Sequence, residues 1–241
     1  MTIFLYYFLL FIIYSFLGWC IESIYCMIEQ RKVVSRGFLI GPYCPIYGWA
    51  ALIMIFLLQR YLNDPIVLFV MGAVIASIIE YITSLFMEKI FHARWWDYSH
   101  VKFNVNGRIC LTNSILFGLL CVILLYIVNP YIIKMVDLIP TLYLIFISSF
   151  LLAIFLIDNI VTFTIMFNIR SLTKTIRKDY TEEITKKVRK ILVKQAEQSF
   201  ITRHLLKAFP SIKFFGSGVK KKTIHRFFHT KKRQKNKKWF R

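Results

Sequence analysis

Five long apolar runs follow one another along the first part of the chain. They cover residues 3 to 27, 44 to 60, 65 to 88, 111 to 133 and 141 to 168. A helix rises 1.5 Å per residue, so about 20 apolar residues are needed to cross roughly 30 Å of hydrocarbon. The runs are continuous rather than alternating, which excludes the strands of a membrane β-barrel. The pattern predicts an all-α integral membrane protein with about five transmembrane helices.

Positively charged residues fall almost entirely on one side of these spans. They cluster between the first and second spans, between the third and fourth spans, and after the fifth, whereas the opposite side carries only Arg60 and Lys134. Cytoplasmic loops of membrane proteins carry an excess of Lys and Arg. We therefore predict an N-terminus outside and a C-terminus inside the cell, an arrangement that an even number of spans would contradict.

The composition separates this apolar body from a basic tail. Of the 241 residues, 57% are hydrophobic, which is more than a soluble domain contains. Residues 170–241 hold 23 of the 32 Lys and Arg but only 4 of the 12 Asp and Glu, so the tail carries +19 of the net charge of +20. We predict two domains: a transmembrane helical domain of residues 1–169 and a basic cytoplasmic tail of residues 170–241.

The tail contains the pattern of an amphipathic helix. Between Glu182 and Phe209, apolar residues recur on one helical face, and the remaining surface is largely cationic. Such a helix can lie in a membrane interface, where its bases bind anionic lipid. We therefore favour membrane lipids of the anionic inner leaflet as partner of the tail. Binding of nucleic acid or ribosomes and a merely solvated tail are the alternatives.

Ionisable residues inside the spans are the first candidates for a functional site, because each is costly in hydrocarbon unless it is paired or hydrated. Glu22, Glu80 and Asp158 lie within predicted spans, at similar depth toward the inner side. Glu80 also stands in an i+4 series that begins with Gly72 and Ala76. Small residues at this spacing allow a second helix to approach closely. The pattern predicts that Glu80 faces another helix.

Bases from the inner loops complete this candidate site. Arg36 precedes the second span, Arg94 and Arg108 lie between the third and fourth spans, and Asn113 follows in the first turns of the fourth. We predict a polar pocket near the cytoplasmic membrane boundary. Its substrate-binding residues would be Glu22, Arg36, Glu80, Arg94, Asp97, Arg108, Asn113 and Asp158. As an alternative, Glu22 and Glu80 pair with Arg94 or Arg108 as internal struts.

Two loop segments have unusual sequences. Residues 36 to 48 combine three glycines with Pro42 and Pro45, which predicts fixed turns and an irregular start of the short second span. This segment is either a wall of the pocket or an ordinary interfacial turn. Trp95 and Trp96 are typical of an aromatic belt at the level of the lipid headgroups.

Motifs of several common enzyme classes are missing from the sequence. It has no GxxxxGK[ST] phosphate loop, no GxSxG nucleophile elbow and no HExxH zinc motif. The five cysteines are odd in number and form no CxxC pair, so we interpret them as packing residues. We expect neither a metal nor a cofactor in this chain.

Five segments occur in the order found in a known family. They are GWCIE at 18–22, RGFLIGPYCPIYG at 36–48, EYITSLFMEKIF at 80–91, RWWDYS at 94–99 and NGRICLTNSILFG at 106–118. Over roughly residues 15–120 the chain resembles the ABC-transporter permease (type IV) family of bacterial membrane proteins, although Ser35 stands where an Asn is expected. The resemblance implies a multi-pass protein of the bacterial plasma membrane that is the permease component of a transporter, and a separate nucleotide-binding subunit is a candidate partner.

These observations lead to one main functional hypothesis and two alternatives. We predict a permease-like transmembrane component of a transporter, with Glu22 and Glu80 as buried acids and Arg94 and Arg108 as anion-binding or counter-ion groups. The first alternative is a membrane enzyme that acts on lipid-linked substrates at the inner leaflet, with Glu80 or Asp97 as general base. The second is a non-catalytic membrane scaffold. A homo-oligomer is compatible with all three.

Overall fold

Helices make up almost all of the structure, a computed structural model that describes residues 2–30, 37–91, 93–178 and 213–214. The α-helices in these ranges are α1 (Thr2–Gln30), α2 (Pro45–Leu58), α3 (Pro65–Phe91), α4 (Leu111–Ile123), α5 (Asn129–Asp137) and α6 (Thr141–Lys178). A 3-10 turn (Gln59–Tyr61) follows α2, and a π-helical turn (Leu124–Val128) joins α4 to α5. The described strands have two residues each: β1 (Ala93–Arg94), β2 (Asn104–Val105), β3 (Ile109–Cys110) and β4 (Lys213–Phe214). The predicted all-α fold is confirmed.

Four helical segments of the described chain are long and apolar enough to cross a membrane. They are Thr2–Ile28, Pro65–Phe91, Leu111–Asp137 and Thr141–Asn168, of which the third combines α4 with α5. The second predicted span is the 14-residue α2, whose length of about 21 Å is short of a full crossing. The total of about five spans therefore remains a prediction.

Contacts between neighbouring helices define their relative directions. α2 runs back along α1, with Gly48 packed against Phe11. α4 runs back along α3, with the hydroxyl oxygens of Ser77 and Ser114 2.7 Å apart. The loops before α2 and before α4 consequently lie at one end of the bundle and Arg60 lies at the other. This grouping agrees with the charge pattern, and which end faces the cytoplasm remains a prediction.

The small-residue series of α3 forms a buried helix face, as predicted. Gly72, Ala76, Glu80 and Ser84 are all buried. A Cβ atom at Gly72 would lie 2.4 Å from the Cβ atom of Cys121 on α4, a distance that real side chains do not tolerate. Glycine at this position therefore allows close contact between α3 and α4, and that contact keeps Glu80 away from lipid.

An aromatic cluster packs where α3 ends. Phe91, Trp95 and Met166 are buried there, and the Trp95 ring meets Phe38 and Phe91 edge to face. The aromatic-belt interpretation is therefore wrong for Trp95. Contact with these apolar side chains removes more of its ring from water than a headgroup position would.

The cysteines are packing residues, as the sequence indicated. None of the five forms a disulfide, and Cys26, Cys44, Cys110 and Cys121 are buried. Apolar surroundings suit a thiol, which behaves there as a small hydrophobic group.

The predicted boundary between body and tail lies within a helix. α6 continues past residue 169 as far as Lys178. Farther along, β4 pairs antiparallel with β1, with Lys213 opposite Arg94. The amphipathic helix predicted between residues 182 and 209 lies outside the described residues, so the division into two domains remains a prediction.

Candidate functional site

The glycine- and proline-rich loop of residues 37–44 enters the helix bundle as non-helical backbone. Its last amide, that of Cys44, donates a hydrogen bond of 2.9 Å to the carbonyl of Ser15 on α1. Backbone of this kind needs hydrogen-bond partners within the protein, because hydrocarbon offers none. Asp158 on α6 provides them, since the amides of Ile40 and Gly41 donate to its carboxylate at 3.0 Å and 2.8 Å.

Two side chains complete the surroundings of Asp158. The hydroxyls of Tyr43 and Thr162 also donate to this carboxylate, which is one of the buried charged groups of the bundle. Four donors replace the water that the carboxylate loses on burial. Asp158, a predicted site residue, therefore holds the loop of residues 37–44 against α6.

Glu80 is buried to the same degree but is only partly hydrogen-bonded. Its Oε1 atom accepts a hydrogen bond from the Tyr98 hydroxyl, at the long distance of 3.3 Å. Its Oε2 atom is buried and, within the chain that the structure describes, has no hydrogen-bond partner. A buried polar atom without a partner costs free energy. The Glu80 carboxylate can thus accept a further hydrogen bond.

Tyr98 links Glu80 to α4. Its hydroxyl accepts a hydrogen bond of 2.7 Å from the side-chain amide of Asn113. Burial, followed by the negative charges of Glu80 and Glu22, raises the pKa of the Tyr98 phenol above its ordinary value. The phenol therefore stays protonated and acts as a hydrogen-bond donor to Glu80.

A tight hairpin between β2 and β3 positions Tyr98. Asn106 and Gly107 both have positive φ, 53° and 66°, and the Arg108 amide donates to the Val105 carbonyl across the turn. Asn-Gly is the residue pair that suits such a turn, because few other residues adopt this conformation at low cost. The Gly107 carbonyl then accepts a hydrogen bond of 2.8 Å from the Tyr98 amide, which fixes the tyrosine backbone.

Glu22 belongs to the same polar region. Its carboxylate accepts a hydrogen bond of 2.9 Å from the Tyr47 hydroxyl, and Tyr47 packs on Gly18, one turn earlier on α1. Glu22 also interacts electrostatically with Glu80 and Tyr98. We define the acidic cluster as Glu22, Tyr47, Glu80, Tyr98 and Asn113.

Two arginines of the predicted site, Arg94 and Arg108, meet a different acid, Glu88. The Arg108 guanidinium lies 2.8 Å from the Oε2 atom of Glu88 and donates to the Ser84 hydroxyl at 3.1 Å. The Nε atom of Arg94 lies 3.4 Å from the same Glu88 oxygen, and its guanidinium lies 3.7 Å from Asp97. These groups form a charge-balanced cluster, which we call the arginine cluster, beside the acidic one.

Both clusters lie within the part of the chain that matches a known family. The family model described as Putative ABC-transporter type IV matches residues 9–163. The chain belongs to this family. No curated protein and no solved structure matches the chain. Family membership, together with the apolar helices, indicates a membrane-embedded transporter component.

The predicted site residues of this family member do not form one site but fall into separate groups. Glu22, Glu80 and Asn113 come together in the acidic cluster, Arg94, Asp97 and Arg108 belong to the arginine cluster, and Asp158 anchors a loop. Arg36 lies outside the described residues. Within the described chain Glu80 makes no ion pair, because Arg108 is engaged by Glu88. The internal-strut alternative does not describe Glu80.

The predicted site did not include Tyr47, Tyr98 and Glu88, although the sequence marks Glu88 as an ionisable residue at the end of a span. Tyr47 and Tyr98 each lie in a segment that resembles the family, and Glu88 lies two turns beyond Glu80 on the same helix. Attention to hydroxyl-bearing aromatic residues within those segments could have found the two tyrosines. Their importance depends on contacts between distant residues, which no sequence spacing expresses.

A depression in the surface lies at the other end of the bundle. It has a volume of about 470 Å³ and is lined by Phe56, Leu57, Gln59 and Arg60. None of these residues belongs to the predicted site. This depression therefore does not support the predicted polar pocket. A pocket at the acidic cluster remains a proposal, which rests on the hydrogen bonds of the cluster.

Proposed function

We propose that this chain is the permease-like transmembrane component of a transporter and that the acidic cluster contacts its polar solute. The observation that carries the proposal is the Glu80 carboxylate, which is 7% exposed and has an oxygen without a partner in the described chain. Polar groups inside membrane spans are expensive and mark solute or ion pathways. Membership of a transporter family supports the same function.

The proposed roles follow from the contacts. We assign the contact with the solute to Glu80 and Asn113, which are linked to each other through the Tyr98 hydroxyl. Glu22 with Tyr47 forms the opposite wall. The arginine cluster acts as a counter-ion group that fixes the loop before α4, and Asp158 keeps the loop of residues 37–44 closed against α6.

The proposal also includes the energy source of transport and the membrane in which the complex lies. The sequence has no phosphate-binding loop, so a separate nucleotide-binding subunit would hydrolyse ATP. We place the complex in a bacterial plasma membrane, in agreement with the family resemblance. The tail of residues 170–241 would bind the anionic inner leaflet through its net charge of +19.

Purification of the tagged full chain from native membranes, followed by mass spectrometry, tests the proposed function. We expect a nucleotide-binding subunit in fixed proportion, and ATP hydrolysis by the complex that a co-purified polar solute stimulates. Glu80→Gln should leave assembly intact and lower the solute-stimulated rate at least tenfold. The matched control is Asp137→Asn, which removes an acid that accepts a hydrogen bond from Tyr6 at the opposite end.

Other results would support the alternative functions. A co-purified lipid that changes covalently on incubation would replace the transporter by an enzyme at the inner leaflet. A chain that assembles with proteins but shows neither ATP hydrolysis nor a bound solute would be a scaffold.

The tail can be tested separately with a peptide of residues 180–241. We expect it to gain helicity on vesicles that contain anionic lipid and little on neutral vesicles, because its bases need anionic headgroups and its apolar face needs an interface. Circular dichroism measures this gain. Equal helicity on RNA would favour nucleic acid as the partner.

A further inference from the structure

We infer that the depression at the Arg60 end of the bundle binds one phospholipid, whose phosphate lies on Arg60 and whose acyl chains lie against Phe56 and Leu57. This site is separate from the acidic cluster and independent of the proposed transport. Three features of the depression carry the assignment: the order of apolar and polar groups in its lining, the charge of Arg60, and the fixed turn that presents this charge.

The lining of the depression changes from apolar to charged within about one helical turn. Phe56 and Leu57 belong to the last turn of α2 and are 86% and 46% exposed. Gln59 and Arg60 follow them in the 3-10 turn and complete the lining. Positions four residues apart lie on one face of a helix, so Phe56 and Arg60 form an apolar and a charged end of the same face. A phospholipid has the same order of groups, because its acyl chains lead to a phosphate at the membrane boundary.

Arg60 brings a positive charge that no described acid neutralises by direct contact. The salt bridges among the described residues do not include it. Its guanidinium lies over the ring of Tyr61, 4.9 Å from the ring centre, and a ring face takes up none of its N–H donors in a conventional hydrogen bond. Arg binds the oxygens of a phosphate through two N–H groups at once. The Arg60 guanidinium can therefore receive a phosphate.

The closest acid along the chain, Asp64, is engaged by α3 instead. Its Oδ1 atom accepts hydrogen bonds of 3.0 Å and 3.1 Å from the Ile66 and Val67 amides. A carboxylate at this position is stabilised by the positive end of the helix dipole. Asp64 therefore fixes the start of α3 and leaves Arg60 to a ligand.

The turn that carries Arg60 is held on both sides. Leu58, just before it, is fully buried and packs with Leu68 in one apolar cluster. After it, the Leu62 carbonyl accepts a hydrogen bond from the Tyr126 hydroxyl. A ligand of Arg60 consequently meets a turn that is already ordered, which lowers the entropic cost of binding.

The surroundings of the depression favour a phospholipid over other ligands. It lies just before Pro65, the first residue of a segment that can cross a membrane, so lipids surround it. A soluble anion would not cover Phe56 and Leu57, and a lipid without phosphate would not neutralise Arg60. A phospholipid satisfies both parts of the lining at once.

Photo-crosslinking of the full chain in lipid nanodiscs tests the site. The probe is a phosphatidylglycerol that carries a photoreactive group near the start of one acyl chain. Mass spectrometry of the digested chain then measures the crosslinks to residues 56–61 alone, so lipid bound by the basic tail does not contribute. The yield should be about fivefold higher than with a diacylglycerol that carries the same group, which is the effect of one base on an anionic lipid. Excess glycerol phosphate in the buffer should not lower the yield.

Substitutions separate Arg60 from the general charge of this end. Arg60→Gln should lower the yield about fivefold. Lys134→Gln, which replaces the other base on this side of the spans, should leave the yield unchanged. Gln59→Glu covers the case in which Arg60→Gln does not fold, because it keeps Arg60 and places a carboxylate in the lining. It should lower the yield as well.

Other results would overturn the phospholipid assignment. Equal yields with phosphatidylglycerol and diacylglycerol would mean that the depression meets lipid only as any apolar surface does. Equal effects of Arg60→Gln and Lys134→Gln, or a yield that survives both Arg60→Gln and Gln59→Glu, would remove Arg60 from the site. A yield that glycerol phosphate lowers would make the ligand a soluble anion.

Discussion

Two carboxylates buried in the helix bundle, Asp158 and Glu80, are 8% and 7% exposed and differ in almost everything else. Asp158 accepts hydrogen bonds from two backbone amides and two hydroxyls. Glu80 accepts one long hydrogen bond and keeps one oxygen without a partner in the described chain. Equal burial therefore says little about role. What distinguishes the two acids is whether the protein itself replaces the lost water.

The elements around the two acids explain the difference. Asp158 faces the loop of residues 37–44. Because this loop is not helical, its backbone N–H groups have no helical carbonyl as acceptor and need another one. Glu80 faces Tyr98, a side chain that reaches it from a neighbouring loop. Backbone donors fix a structure, whereas a single side-chain donor leaves room for a ligand. We therefore interpret the Asp158 region as structural and the Glu80 region as functional.

Replacement of Arg108 by methionine should have the largest effect on stability. It leaves Glu88 without its closest ionic partner in a largely buried position, and such a change costs about 3 to 5 kcal/mol of unfolding free energy. Unfolding by denaturant in detergent measures the loss. The double variant with Glu88→Gln should recover part of it. A loss below about 1 kcal/mol would mean that water solvates the pair.

Asp158→Asn should have the next largest effect and gives the direct comparison with Glu80. An amide offers one acceptor oxygen in place of two and turns its N–H groups toward either the Ile40 or the Gly41 amide, which donate to different oxygens of Asp158, so we expect a loss of about 2 to 4 kcal/mol. Thr162→Val is the matched control. It removes one donor and keeps the shape, at about 1 kcal/mol. Protease cleavage in the loop of residues 37–44 should increase in Asp158→Asn alone. If Asp158→Asn proves as stable as the parent chain, the structural role is refuted.

Glu80→Gln should have the smallest effect on stability and the largest on function. It removes a charge whose burial is poorly compensated and keeps the size of the side chain, so the unfolding free energy should change by less than about 1 kcal/mol. Solute-stimulated ATP hydrolysis should nevertheless fall at least tenfold. The same denaturant titration and the hydrolysis assay provide the two readouts. Loss of stability in step with loss of activity would make Glu80 a structural acid like Asp158.

The spacing of particular residues was enough to predict much of the helical body. Continuous apolar runs predicted the long helices because a lipid-crossing helix needs apolar residues on every face. The i+4 series of α3 predicted a buried face that includes Glu80, and the odd number of cysteines without a CxxC pair predicted packing residues, four of which are buried. These features depend on neighbours within one helix, where the separation along the sequence fixes both the distance between two residues and the face on which they lie.

Only the tertiary structure decided which charged groups meet. The sequence placed Glu22, Glu80 and Asp158 at similar depth, but it could not show that Asp158 binds the Ile40 and Gly41 amides or that Arg108 pairs with Glu88. It also could not show that Tyr98 reaches Glu80. A hydrogen bond depends on distances of a few tenths of an ångström between residues that lie far apart along the chain. Such distances are set by how helices and loops pack, so they are determined only when the whole bundle is assembled.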